Sequence, residues 1–202
     1  RADPQRGWNW YAQADQGGGG IGALGTHAMD MLAWLIGPLG AVQALNSVSI
    51  KQRPHPDGGL AAVDAPDVSL LQTVAHWQGR QDLPVPAQVS LSSVSRNGRG
   101  FCLDVVGSSG SLMLSSTNQK DYVHGFELQH APLGEPFRAV EADADLAYPQ
   151  TWSDGRIAPV VRVLGWWAES IRSGQPMLPG LAEGVASRVA CDKAAGGTLD
   201  LA

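Results

Sequence analysis

Residues Gly17 to Gly37, GGGGIGALGTHAMDMLAWLIG, constrain this chain more than any other stretch: a run of glycines passes straight into a segment of helical apolar spacing and closes on another glycine. At about 100° per residue, Ile21, Leu24, Ala28, Leu32 and Leu35 share one side of a helix, the spacing that buries a stripe in a core. Gly37 and Pro38 end it, since neither continues a helix. A second stripe of Ala23, His27, Asp30 and Trp34 lies about a third of a turn away, so the ionisable groups of the segment share a face that is not the core face. That face is a candidate site. Two readings of it stay open from the pattern alone: a ligand-facing imidazole and carboxylate, or a hydrogen-bonded histidine at a helix start beside a solvated aspartate.

Gly17 to Gly22 also satisfy G-x-G-x-x-G in form. The dinucleotide-binding fingerprint works only where a buried strand delivers the chain into the glycine turn, and the preceding YAQADQ has neither β-branched residues nor alternation. The glycines are expected instead to permit unusual backbone angles and close approach to a neighbouring surface or ligand.

GGGG followed by GALGTHAMDMLAWLIG resembles the opening of the C-terminal domain in the glucose-fructose oxidoreductase, inositol dehydrogenase and rhizopine catabolism family (Gfo/Idh/MocA). LDVVGSSGSLML, Leu103 to Leu114, is similar to that family's strand, glycine turn and strand, and PMLPGLAEGVASRVACDKAAGGTLDL to its closing helix and last strand. The likeness runs from about Trp8 onward. Members carry D-x-G-x-H on this helix, reaching substrate hydroxyls beside a nicotinamide. Gly25 and His27 match the last two positions, and Ala23 stands where the aspartate would.

The resemblance implies that His27 moves or orients the substrate hydroxyl proton and that Trp152 lies on a connection crossing near the substrate pocket; Asp30, one helical turn on from His27, is expected to stand behind it as its partner at the substrate-binding site. It implies NAD or NADP as cofactor, bound mainly by an N-terminal Rossmann domain that this chain does not contain. The family's proton-transfer lysine is absent too: Lys51, Lys120 and Lys193 lie outside any Glu-Lys-Pro context. The chain is therefore expected to be the C-terminal half of a longer enzyme acting on a sugar, inositol or related polyol. Within the family, epimerisation or glycoside cleavage through transient use of the nicotinamide is an alternative. A non-catalytic module pairing through its sheet is another.

A chain of 202 residues, 44% apolar, can bury a sizeable core and is expected to form one domain over 1–202. A formal net charge of -5 with scattered Lys and Arg gives no electrostatic footprint for nucleic acid. No apolar run approaches the roughly 20 residues that span a bilayer, so neither nucleic acid nor membrane is expected as a partner, and a cytoplasmic location is. Cys102 and Cys191, without C-x-x-C or a neighbouring histidine, are expected to be free thiols.

Along the chain, Arg1 to Gln16 reads as a short extended lead, Ala41 to Ile50 as a strand, and Arg53 to Pro66 as a long mobile loop. Val68 to Trp77, Gln88 to Ser95, Phe101 to Val106 and Ser111 to Ser116 read as strands of an antiparallel meander, with Gly107 to Gly110 as a hairpin turn. Tyr122 to His130 reads as a further strand with His124 and His130 on one face, a weak metal pattern without completing ligands. Ala142 to Arg156 is a polar connection. Ile157 to Ser173 shows a helical stripe closed by Gly174, with at least one of Trp166 and Trp167 expected to pack under the sheet, and a last helix through Leu181, Val185 and Val189 leads to a terminal strand, Thr198 to Leu201. The fold expected is α+β: a large open, mainly antiparallel sheet with helices on one face and the other free to pair copies into a homo-oligomer such as a dimer.

Overall fold

The computed structural model describes residues 2–77 and 82–196. It is an α+β structure whose strands all pair antiparallel. In chain order the helices are α1 (Thr26–Leu35), α2 (Ile157–Ser173) and α3 (Leu181–Ala195). The strands are β1 (Leu39–Ser47), β2 (Gln52–Pro54), β3 (Leu60–Ala62), β4 (Val68–His76), β5 (Pro84–Ser92), β6 (Phe101–Gly107), β7 (Gly110–Ser116), β8 (Glu127–Pro132) and β9 (Arg138–Ala139). The chain forms two compact units, Arg1–Arg96 with Leu178–Ala202, and Asn97–Met177.

In the first unit, α1 and α3 cover one face of a sheet ordered β1-β4-β5. Period-two alternation places Ser69, Leu71, Thr73 and Ala75 of β4 on the buried face, and Leu91 of β5 joins them. The core closes on Ile21, Met29, Leu71, Leu91, Ala190, Cys191 and Ala194. Burying a side chain such as Met29 or Leu71 stabilises by about 1.5–3 kcal/mol, and these two are fully covered. Asn46, buried on β1, donates through Nδ2 to the Ala194 carbonyl at 3.0 Å, which ties β1 to the last turn of α3.

The amphipathic stripe lies one position away from where uniform helical spacing puts it. Ile21–Gly25 is a π-helical turn, wider than an α turn, so each of its residues advances by less than 100°. The buried line consequently runs Ile21, Met29, Leu32 and Ile36, with Leu24 and Ala28 packed beside it, while Leu35 is exposed. The glycine run is built against its own chain. Gly19 has φ +77°, and a Cβ there would press into the Pro66 carbonyl oxygen; one on Gly22 would overlap that of Gly17.

Several expectations about the first unit need correction. Arg1 to Gln16 is not extended throughout, because Trp10–Ala12 forms a 3-10 turn whose Tyr11 N–H donates to the Asn9 side chain at 3.0 Å. The stretch read as a mobile loop contains the β2-β3 hairpin, turned at Gly58 and Gly59 and held by Trp8, whose indole donates to Ala62 O at 2.8 Å. Strand β1 stops at Ser47 because the buried Asp67 carboxylate takes the N–H groups of Ser49 and Ile50 at 2.8 and 2.9 Å. Strand β5 starts at Pro84, earlier than expected, since an edge position tolerates prolines that donate no ladder bond. The expected strand Thr198 to Leu201 falls outside the described residues.

The second unit is a meander ordered β6-β7-β8-β9 followed by α2. The β6-β7 hairpin turns between Gly107 and Gly110 as its sequence predicts. Tyr122 to Gly125, read as the start of a strand, is a turn: Asp121 Oδ1 accepts from the N–H groups of Val123 and His124 at 3.0 and 2.9 Å, and β8 begins only at Glu127. The alternation that put His124 and His130 on one face is thereby broken. Helix α2 has the predicted bounds, closed by Gly174 at φ +68°. Trp166 and Trp167 are both exposed, so neither packs under a sheet within the unit. Cys102 and Cys191 are free thiols, and burial pushes the Cys191 thiol up from its ordinary range. None of the described helices is long and apolar enough to cross a membrane.

Candidate functional site

The π turn feeds α1 without a break, so Thr26 and His27 begin a helix that is already hydrogen-bonded from behind. With Met29 and Leu32 locked into the core, the opposite phase of the helix is turned away from it. His27 is exposed there, and Asp30, three residues on, is half-buried on the same side.

The second wall comes from α3. Gly180 is extended and enters the helix, and Glu183 turns back so that its Oε2 accepts from the Gly180 N–H at 2.6 Å. That contact and its own N–H hold the Glu183 carboxyl below the usual range. Ser187, buried one turn later, donates its hydroxyl to Gly184 O at 3.0 Å. Helices α1 and α3 approach closely because small residues meet between them: a Cβ on Gly25 would sit 3.1 Å from Cys191 Sγ.

Between these walls lies an open cleft of about 300 Å³, lined by Thr26, His27, Asp30, Gly180, Glu183 and Ser187 among others. The volume is at the lower end of small-molecule sites. Its donors and acceptors are an imidazole, two carboxylates and two hydroxyls, a set able to bind a polyhydroxylated ligand and to exchange a proton with it. A smaller hollow of about 90 Å³ beside Trp10, Tyr11 and Arg53 is too small for a sugar.

His27 and Asp30, both singled out from sequence, therefore meet in one cleft. Trp152 lies in the second unit, in the connection ahead of α2, 36% exposed. In the same connection Arg156 donates twice to Asp154, at 2.8 and 2.6 Å, and this pairing holds the Asp154 carboxyl well below the usual range. Glu183 and Ser187 escaped the sequence reading. The available signal was a glutamate three residues after Gly180 at a predicted helix start. Among the described residues no group of three or more His, Cys, Asp or Glu is placed to hold a metal.

Likeness to known proteins extends over almost the whole chain. It is 43% identical over 195 residues, 95% of its length, to an uncharacterized oxidoreductase of Synechocystis sp., and spans 51% of that protein. It matches levoglucosan dehydrogenase in complex with NADH and levoglucosan at a TM-score of 0.75 and 23% identity, over 97% of this chain and 52% of that one. It also matches the transcriptional regulator Gal80p from Kluyveromyces lactis at a TM-score of 0.64 and 13% identity, over 97% of this chain and 50% of that one. At these identities the structural likeness establishes the fold, and this fold serves an enzyme and a regulator alike. The model of the oxidoreductase family, C-terminal alpha/beta domain, matches residues 1–194, and the chain belongs to that family, Gfo/Idh/MocA, as its C-terminal domain.

Proposed function

We propose that this chain is the substrate-binding half of a nicotinamide-dependent oxidoreductase that acts on a sugar, inositol or related polyol. The observation that carries the reading is the meeting of His27 and Asp30 in one cleft with Glu183 and Ser187. Cofactor binding belongs mainly to an N-terminal Rossmann domain, in keeping with a chain that spans about half the length of its curated relative. The residues here do not fit a dinucleotide's pyrophosphate: the glycine run is packed against the Pro66 backbone at Gly19 and the Gly17 backbone at Gly22, and this chain's lining of the cleft has no Lys or Arg. NAD or NADP, when bound, would take up the hydride from a carbinol carbon.

This chain's own contribution concerns the hydroxyl. His27 accepts the hydroxyl proton, or returns it in the reverse direction, and Asp30 and Glu183 accept hydrogen bonds from neighbouring hydroxyls and so orient the ring. Ala23 brings no carboxylate to His27, which leaves Asp30 as the carboxylate of the same helix nearest to it in sequence. Trp152 is proposed as a further substrate contact. Copies pair through the sheet face opposite α1 and α3, in the cytoplasm.

The test is His27→Ala in the full-length protein. Turnover is expected to fall about 10²–10⁴-fold with cofactor affinity nearly unchanged; equal turnover would remove His27 from the chemistry. The Gal80p likeness supports a second reading, a sheet-mediated interaction module, and a full-length protein that binds neither NADH nor NADPH in a fluorescence titration would favour it.

A further inference from the structure

We infer that Asn46 and Ser69 bind a water molecule inside the first unit, and that this water helps to fasten the far end of α3 to the sheet. Asn46 of β1 and Ser69 of β4 stand directly opposite each other in the strand register, so their side chains project from one face of the sheet. It is the covered face: Asn46 is 4% exposed and Ser69 is fully enclosed. Asn46 Oδ1 and Ser69 Oγ are both shut off from solvent, and neither has a protein group at hydrogen-bonding distance. The amide cannot turn round to relieve this, because its Nδ2 already donates to the Ala194 carbonyl at 3.0 Å.

Burial strips hydration from an amide oxygen and a hydroxyl at a cost that a hydrogen-bond partner must offset. Opposed Cβ atoms on such a pair lie about 4.5–5.5 Å apart. One water making two hydrogen bonds of about 2.8 Å spans oxygens up to roughly 5.5 Å apart, so a single molecule reaches both groups. It donates to Asn46 Oδ1 and accepts the Ser69 hydroxyl proton, which gives it the two polar partners that an internal water needs. Thr73, another buried hydroxyl without a protein partner, is four residues along β4, about 13 Å away at the rise of a strand, and takes no part. The consequence falls on α3. That helix walls the candidate cleft with residues Gly180 to Ser187 and is tied to β1 at its end through Asn46; the water extends the tie to β4. All these residues belong to the first unit.

The experiment is a high-resolution crystal structure of the full-length protein, paired with that of its Ser69→Ala variant. One water peak about 2.7–3.2 Å from both Asn46 Oδ1 and Ser69 Oγ is expected. A direct hydrogen bond between the two side chains, or no peak beside them, would overturn the inference from the first structure alone. In Ser69→Ala the peak should vanish or shift while the Asn46 contact to Ala194 is kept, and a peak left unmoved would remove Ser69 as its holder. Hydrogen exchange reads the fastening in solution. Ser69→Ala is expected to speed exchange of the amides in the last turn of α3 several-fold and to leave those of α2 unchanged, whereas equal rates in α3 would show that the water does not hold the helix.

Discussion

Helices α1 and α2 carry apolar residues at the same kind of spacing and meet different fates. In α1 and the π turn before it, Ile21 and Met29 pack into the core with Leu71 of β4, Leu91 of β5 and residues of α3, and Leu32 is buried as well. In α2, Ile157, Val160, Leu164, Trp167 and Ile171 recur at the spacing of a seam, yet all stay between 39% and 67% exposed, and only Ala158 is buried. Helical periodicity thus identifies a face without saying what covers it. The two helices also use glycine differently. Gly22 and Gly25 stand where other atoms press in, whereas a Cβ on Gly165, in the middle of α2, would have nothing within 4 Å.

Substitutions of equal size should separate the two helices, and the glycines give the widest gap. Gly22→Ala is expected to destabilise by more than about 4 kcal/mol, because its Cβ would meet a backbone oxygen that cannot step aside. Urea melts of the variant check this, and a near-normal midpoint would mean that the π turn is far more yielding than its packing indicates. Truncation should follow the same order: Met29→Ala is expected to cost about 2–5 kcal/mol as a cavity in a closed core. Ile171→Ala, at an exposed position, should stay within about 0.5 kcal/mol, and a cost comparable to that of Met29→Ala would show α2 to be covered in solution.

Gly165→Ala probes the comparison from the stabilising side. With open space at the site, relief of glycine's backbone freedom in mid-helix should add about 0.5–1 kcal/mol, read as a higher thermal midpoint. The smallest effect expected is a pH dependence. The folded protein lowers the Glu183 pKa, so the unfolded chain binds the proton more readily. The stabilisation from this residue is present above the unfolded value of about 4.3 and is lost as pH falls through the lower folded value. Glu183→Gln should flatten the stability profile across that acid window, removing the stabilisation near neutrality and leaving the stability below the window nearly unchanged.

Much of the fold was legible because its signals are local. Gly174 ends α2 where a left-handed residue is needed, Gly107 and Gly110 turn the β6-β7 hairpin, and Val89 and Leu91 alternate with serines on a half-covered strand. What failed depended on side chains reaching back to the backbone. Asp67 ended β1 early, Asp121 turned Tyr122 to Gly125 out of a strand, and Trp8 pinned the β2-β3 hairpin inside a stretch of loop composition. The site divides in the same way. His27 and Asp30 are neighbours on one helix face and are found by spacing, whereas Glu183 lies more than a hundred residues further on.

The sequence by itself determined that a glycine run enters a helix, that His27 and Asp30 share a face of it, and that antiparallel strands with one apolar side follow. These are consequences of backbone geometry within a few residues. Only the tertiary structure decided which apolar faces are buried. On α3 the small residues Ser187, Ala190, Cys191 and Ala194 turn inward while Leu181, Val185 and Val189 face out, because the close approach of α1 at Gly25 leaves room for nothing larger. It also decided that the second wall of the cleft carries a carboxylate. Contacts across such a separation depend on how whole elements pack, and no local period encodes them.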